Sequence, residues 1–192
     1  MTENPGEPSA AAAGGTVRPA RPADAERIAN IQVETWRAAY GGLLPASVLA
    51  ELDVESAIEA WTAATSMPPT PRHHVLVAVD TATDTVAGFA ALTPADDDDA
   101  DALVDGEIAV LLVDEPYAGR GHGSRLLAAC VDIMRGDGCT RALVWVLAQD
   151  DALRQLLVSA GWGTDGSHRT LDAGDGSDAL RQLRLHTDLT AG

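Results

Sequence analysis

With 192 residues, 46% of them hydrophobic, the chain is long enough for one domain with a full core. Aromatic residues make up only 4%, so aliphatic side chains and alanine must supply the interior. A net charge of −16, from 13 basic and 29 acidic residues, argues against nucleic acid and anionic membrane surfaces and suits a cationic partner.

The basic residues are all arginine. Cys130 and Cys139 lack metal-type spacing and read as reduced structural thiols of a cytoplasmic protein. No basic-then-apolar leader opens the chain, and no apolar run approaches the roughly 18 residues of a membrane span.

Residues 1–15 carry little apolar bulk, which predicts a disordered leader before a domain at 16–192. Thr16, Val17 and Arg18 make a first short strand, stopped by Pro19. Pro22 suits the first position of a helix, with Asp24 and Glu26 in its first turn. Ile28, Ile31, Thr35 and Trp36 share one face of that helix, and Gly41 and Gly42 end it. By its own chemistry Trp36 is core. Arg37 and Tyr40 have polar tips that want partners and are the better candidates to face a cleft. Pro45 opens a second helical stretch through Leu52. Asp53 caps a further one carrying Val54, Ile58 and Trp61.

Residues 75–79 and 86–92 read as the strands of a hairpin, with His73 and His74 as surface residues before it. The segment 94–106 contains Asp96, Asp97, Asp98, Asp99, Asp101 and Asp105. Such a run reads as a solvated, mobile loop. Two other readings stay open: calcium, although the spacing is not that of an EF-hand, and electrostatic guidance of a cationic substrate.

The run 107–113 is an apolar strand. Leu126, Leu127, Cys130, Val131 and Met134 then fall on one helical stripe. Between them, Gly119, Gly121 and Gly123 alternate with Arg120 and His122. A strand, a glycine turn and a helix N-terminus form an anion site, because free N–H groups and the helix dipole both favour negative charge. Glycine lets the backbone approach a phosphate without a Cβ in the way. A Walker loop is excluded because the chain has no lysine. The dinucleotide fingerprint Gly-x-Gly-x-x-Gly does not match Gly-x-Gly-x-Gly. Residues 141–147 form another strand. Asp150 or Asp151 starts a helix with Leu153, Leu156, Leu157 and Ala160 on its apolar face, and Gly161 and Trp162 end it. Two terminal strands, 163–171 and 180–189, are joined by a Gly/Asp turn.

The run 113–127 resembles the acyl-coenzyme A loop of the GNAT N-acetyltransferase superfamily, which reads Arg/Gln-x-x-Gly-x-Gly/Ala after a strand ending in Val. Gly121 and Gly123 match its glycines, and Gly119 and Arg120 match the run before them. Ala118 departs from the Arg/Gln place. Segment 36–45 is similar to the family element where the first two helices meet beside the acceptor cleft, which makes Trp36, Arg37 and Tyr40 candidate acceptor contacts. Block 150–162 resembles Asn-x-x-Ala-x-x-Phe-Tyr-x-x-x-Gly-Phe/Trp, with Asp150 at the Asn place and Leu156 and Leu157 at the Phe-Tyr place. The likeness spans 16–189.

The resemblance implies a mixed α/β acyl-CoA N-acyltransferase fold: a central twisted sheet of about seven strands with helices on both faces, ordered β-α-α-β-β-β-α-β-α-β-β. It implies acetyl-CoA as cosubstrate and a primary amine, on a cationic small molecule or peptide, as acceptor. The pantetheine arm would lie between two splayed parallel strands, against the backbone of Leu111, Leu112 and Val113, with an oxyanion donor near Leu112. The diphosphate would rest on the amides of Gly119, Arg120, Gly121, His122, Gly123 and Ser124, with Arg120 and Arg125 adding charge. Asp150 stands on the cofactor side, although its residue type also suits a helix cap. Glu107, which starts the strand where a family carboxylate often stands, becomes the general base. Leu157 takes the place of a frequent general-acid tyrosine and cannot donate a proton. That departure leaves a coenzyme A-binding module without turnover as the alternative. Family members often dimerise, and no residue pattern here selects a homodimer.

Overall fold

A computed structural model describes residues 14–40, 53–171 and 180–190 of the chain. The elements, in order, are β1 (Gly15–Pro19), α1 (Ala25–Tyr40), α2 (Val54–Ser66), β2 (His74–Asp80), β3 (Thr85–Pro94), β4 (Asp105–Val113), α3 (His122–Gly136), β5 (Arg141–Leu147), α4 (Asp151–Ser159), β6 (Gly163–Leu171) and β7 (Leu180–Asp188). The strands form one sheet, ordered β1-β2-β3-β4-β5-β7-β6. Only β4 and β5 run parallel; every other neighbouring pair is antiparallel. This is the architecture that the resemblance implied.

The entry to α1 follows its sequence. Arg18 grips both oxygens of Asp24 at 2.7 and 2.9 Å, and Asp24 also accepts the Arg21 N–H at 2.7 Å. A 3-10 turn at Pro22–Asp24 therefore leads directly into the helix. Ile28 and Ile31 are fully buried against Val77, Val79, Val86 and Phe89. Burial on this scale contributes about 1.5–3 kcal/mol per aliphatic side chain. Asp53 caps α2 by accepting the Ser56 N–H at 2.8 Å. Trp61 of α2 meets Phe89 edge-on at 5.1 Å and donates its Nε1–H to Gln32 at 2.8 Å.

The other face carries α3 and α4. Leu126, Leu127, Cys130 and Met134 of α3 and Leu157 of α4 pack on Leu76, Ile108, Val144 and Val146. Burial pushes the Cys130 thiol up to about 12.

Several expectations shift. The first strand begins at Gly15, which already pairs with Asp80, so the ordered domain includes a residue assigned to the leader. β4 begins at Asp105, two residues earlier than expected, and Glu107 is its third residue, 9% exposed. The aspartate-rich segment 95–104 is not a free acidic loop. Asp97 and Asp99 bind Arg184 of β7, and Asp105 binds Arg141 of β5. The leader residues 1–13, the Gly41–Gly42 stop, the Pro45 helix and the turn 172–178 lie outside the described residues. Among the described residues, no helix is long and apolar enough to cross a membrane, and no group of His, Cys, Asp and Glu could hold a metal ion.

Candidate active site

The parallel ladder between β4 and β5 runs only from Asp105–Arg141 to Ile108–Val144. Both strands continue, to Val113 and Leu147, without pairing to each other. The cause lies on the other edge of β4. Leu92 of β3 faces Ile108, but the next residue back, Ala91, faces Val110, so Ala109 is the extra residue of a bulge. A bulge bends its strand and increases local twist. This one sits at the position where β4 leaves β5.

Alternate backbone groups of a strand point to the same side. Asp114 donates its N–H to Ala87 of β3 at 2.9 Å. The Leu112 carbonyl also faces β3, where a Cβ added to Gly88 would stand 2.6 Å from it. The main-chain groups of Leu112 are therefore directed at β3. Those of Leu111 and Val113 face the gap.

Beyond β4 the chain makes a short 3-10 turn, Glu115–Tyr117, and then the glycine loop. Gly119 and Gly121 adopt φ of 73° and 80°, in the region L side chains avoid. Gly121 is the N-cap of α3, and no side chain caps the helix. The N–H groups of His122, Gly123 and Ser124 are thus left as first-turn donors. Gly123 allows close packing, since a Cβ there would lie 3.2 Å from Leu156 and 3.6 Å from Val113.

His122 contributes more than its amide. Its ring is 1% exposed, lies 3.3 Å from Asp80 through Nε2, and packs under Gly15. Burial raises the Asp80 carboxyl, but bonds from Thr83, Ala82 and His122 outweigh it and hold the group below its usual range. Arg120 is drawn toward the same carboxylate at 3.9 Å and stands over the Tyr117 ring at 5.4 Å. Arg125 folds back onto the Arg120 carbonyl at 3.1 Å. A cavity of about 490 Å³ continues from Ser124 between α3 and α4, lined also by Leu127, Val131, Leu156 and Ser159.

The opposite face holds Glu107. Thr93, Glu107 and Leu143 are partners across the sheet, and Trp145 and Arg184 form the next row along β5. Cross-strand partners share a face, and Thr93 is on the Phe89 side of β3, the side of α1. Burial raises the Glu107 carboxyl above its usual range. The charge of Arg169 opposes this shift, while Asp97 and Asp96 add to it. No hydrogen bond reaches the Glu107 side chain from the described residues.

A half-open parallel ladder thus runs into an uncapped glycine turn. The model of the acetyltransferase (GNAT) family matches residues 27–162, from α1 through this turn to Trp162. The chain belongs to that family. It is 28% identical over 138 residues to the uncharacterized N-acetyltransferase YuaI of Bacillus subtilis, covering 72% of this chain and 75% of that one. Its fold is that of the YncA protein of Salmonella typhimurium, solved with its cofactor acetyl-CoA, at a TM-score of 0.69 and 19% identity over 92% of this chain and 94% of that one. It is also that of the PaiA N-acetyltransferase of Thermoplasma acidophilum, solved with coenzyme A, at 0.66 and 17% over 91% and 99%.

Within this GNAT chain, Gly119 to Ser124 converge at the head of α3, and Leu111 and Val113 line the gap. Leu112 belongs to the same strand but turns its backbone away. Asp150 is a helix cap, accepting the Leu153 N–H at 2.9 Å. Leu157 is wholly buried in the core. Trp36 is half-buried near the end of α1 and Arg37 is exposed there. Arg37 lies near enough to Asp53 to be among the lesser causes lowering that carboxyl, after the Ser56 bonds. The Tyr40 side chain lies outside the described residues. Sequence reasoning missed Asp80, Trp145, Arg169 and Arg184. The available signal was Arg184, set between Leu183 and Leu185, where a charge needs partners.

Proposed function

We propose that this GNAT protein is an N-acetyltransferase that moves the acetyl group of acetyl-CoA to a primary amine of a small molecule or peptide by direct attack. The observation that carries the reading is the juxtaposition of two recognition elements. The β4 edge opens at Ala109, and uncapped amides follow it at Gly121–Ser124. Leu111 and Val113 offer main-chain partners to an extended pantetheine arm, as a missing strand would. The amides at 119–124 suit the diphosphate, and the groove from Ser124 suits the nucleoside beyond it.

The thioester supplies an activated carbonyl and a leaving thiol of pKa near ~8.5, which needs little acid assistance. That suits a site where Leu157 provides no phenol. The amine must lose its proton. An alkylammonium of pKa ~10.4 lies about three units above neutrality, a cost of ~4 kcal/mol. Glu107 serves as the base. It stands four residues before Leu111, roughly 13 Å along an extended strand, so the proton reaches it through water. An amide facing the gap, that of Leu111 or Val113, stabilises the oxyanion in place of Leu112.

The buried Leu157 also favours a second reading, a coenzyme A-binding module without turnover. Thiol release with a panel of primary amines, run beside calorimetry with acetyl-CoA, separates the two. Binding with turnover supports the enzyme, and binding without turnover to any amine supports the module.

A further inference from the structure

Two arginines flank the Trp145 ring, and they are in opposite states. Arg184 lies 5.6 Å from the ring centroid and spends its donors on Asp97, Asp99, Asp165 and Ser167. It is 3% exposed and is a structural clamp. Arg169 lies closer, 4.4 Å from the centroid, and is exposed. Its Nε donates to Gln182 at 2.6 Å, and its two terminal nitrogens have no partner among the described residues. Stacking and the Nε bond fix the plane of the guanidinium, so its outer fork is preorganised for a planar anion.

The position of that fork gives it a use. Arg169 pairs with Gln182 and Gln182 with Leu147, so Arg169 shares the sheet face of Trp145 and Glu107. Among the described residues, α1 and α2 pack over β2, β3 and β4, and Asp97 of the loop 95–104 reaches Trp145 at this end of the face. Around Glu107 the field has a positive pole at Arg169 and a negative one at Asp96 and Asp97. Asp97 is taken up by Trp145 and Arg184, while Asp96 is exposed. An ammonium is attracted to the carboxylate pole and an anion to the arginine.

We propose that the stacked Arg169 receives a carboxylate of the acceptor, so that the acceptor is an amino acid or a similar amine bearing a carboxylate. This rests on the acetyltransferase reading and narrows it. Arg169 is a specificity-determining residue, and its loss raises KM and leaves the chemistry at Glu107 intact.

The test is steady-state thiol release by the full chain with matched acceptors: leucine, phenylalanine and serine, their primary amides, and the decarboxylated amines. Amino carboxylates of longer spacing, such as β-alanine and γ-aminobutyrate, locate the anion relative to the amine. The expected result is a kcat/KM at least tenfold higher for the carboxylates. Arg169→Met should raise their KM about 10- to 100-fold with little change in kcat. It should leave the amides, the amines and the KM for acetyl-CoA unmoved. Arg169→Lys should restore part of the loss. If amides and plain amines are turned over as well as the acids, or if Arg169→Met affects all three sets alike, the carboxylate assignment fails and the acetyltransferase survives. If nothing in any set releases thiol, both fail.

Discussion

The Leu112 carbonyl stands so close to Gly88 that a Cβ on the glycine would lie 2.6 Å from it. Both groups are backbone, so neither yields by rotating a side chain. Gly88→Ala must push β3 and β4 apart beside the gap. Overpacking of this kind costs about 1–3 kcal/mol. A urea titration should show that loss, and calorimetry should show weaker acetyl-CoA binding, because the edge carrying Leu111 and Val113 moves. A midpoint equal to that of the parent would mean the strands are less tightly apposed than described.

Glu107→Gln should lower the rate about 10²- to 10⁴-fold at neutral pH. The deficit should shrink at alkaline pH, where more of the amine is already free. The same change should raise stability. Burial raises the native carboxyl above its ordinary 4.5, so the native state holds the proton to higher pH than the unfolded chain. Stability therefore falls as pH rises through that window and stays lower above it. Glutamine carries no charge and escapes the penalty. Thermal scans should show a higher Tm for the variant at pH 7 and no difference at pH 4. A lower Tm at neutral pH would indicate an unrecognised partner for the carboxylate.

At Gly121 a left-handed φ of 80° would cost an L residue about 1–2 kcal/mol. Gly121→Ala should weaken acetyl-CoA binding at least tenfold, and Gly121→Glu should abolish it by placing a carboxylate among the amides. Gly136→Ala is the control, since a Cβ there meets nothing within 4 Å and φ is ordinary. Equal affinities for Gly121→Glu and the parent would remove the loop from the cofactor site.

Arg184→Ala should cost about 2–3 kcal/mol, below the ~3–5 kcal/mol of a fully buried pair, because Asp99 is 60% exposed and can relax into water. Arg184→Lys should rescue little, since one ammonium cannot span Asp97, Asp99, Asp165 and Ser167. Hydrogen exchange should show lost protection in 95–104. Bonds from Arg184 hold the Asp99 carboxyl at about 2. A depressed carboxyl contributes above its ordinary value and loses that contribution as pH falls, so the clamp should open between roughly pH 4 and 2. Retained protection at pH 2 would mean the loop is held by something else.

The sequence announced the order of elements because hydrophobic period and glycine placement are local properties. The head of α3 was legible for the same reason: Gly119, Gly121 and Gly123 lie within one turn. The parity of β4 was not. Side-chain alternation tells which residues share a face, but not which neighbour a main-chain N–H addresses. That depends on register with β3 and on the unremarkable residue Ala109, which becomes a bulge only through its partners. The state of the acidic loop was hidden likewise. Asp97 and Asp99 read as solvated until the fold brings Arg184 from 85 or more positions away. Asp80 lies just past the run 75–79, and nothing local reveals that His122 will lie beneath it.

The bend at Ala109 separates two kinds of recognition. On one side of it the proposed thioester arm would meet amides and carbonyls, which every residue except proline provides, so substitutions at 111 and 113 would leave that complementarity largely in place. On the other side the proposed acceptor would meet the side chains of Glu107, Trp145 and Arg169, each replaceable by a single codon. Such a partition would let acceptor preference drift by small steps while donor use stays fixed.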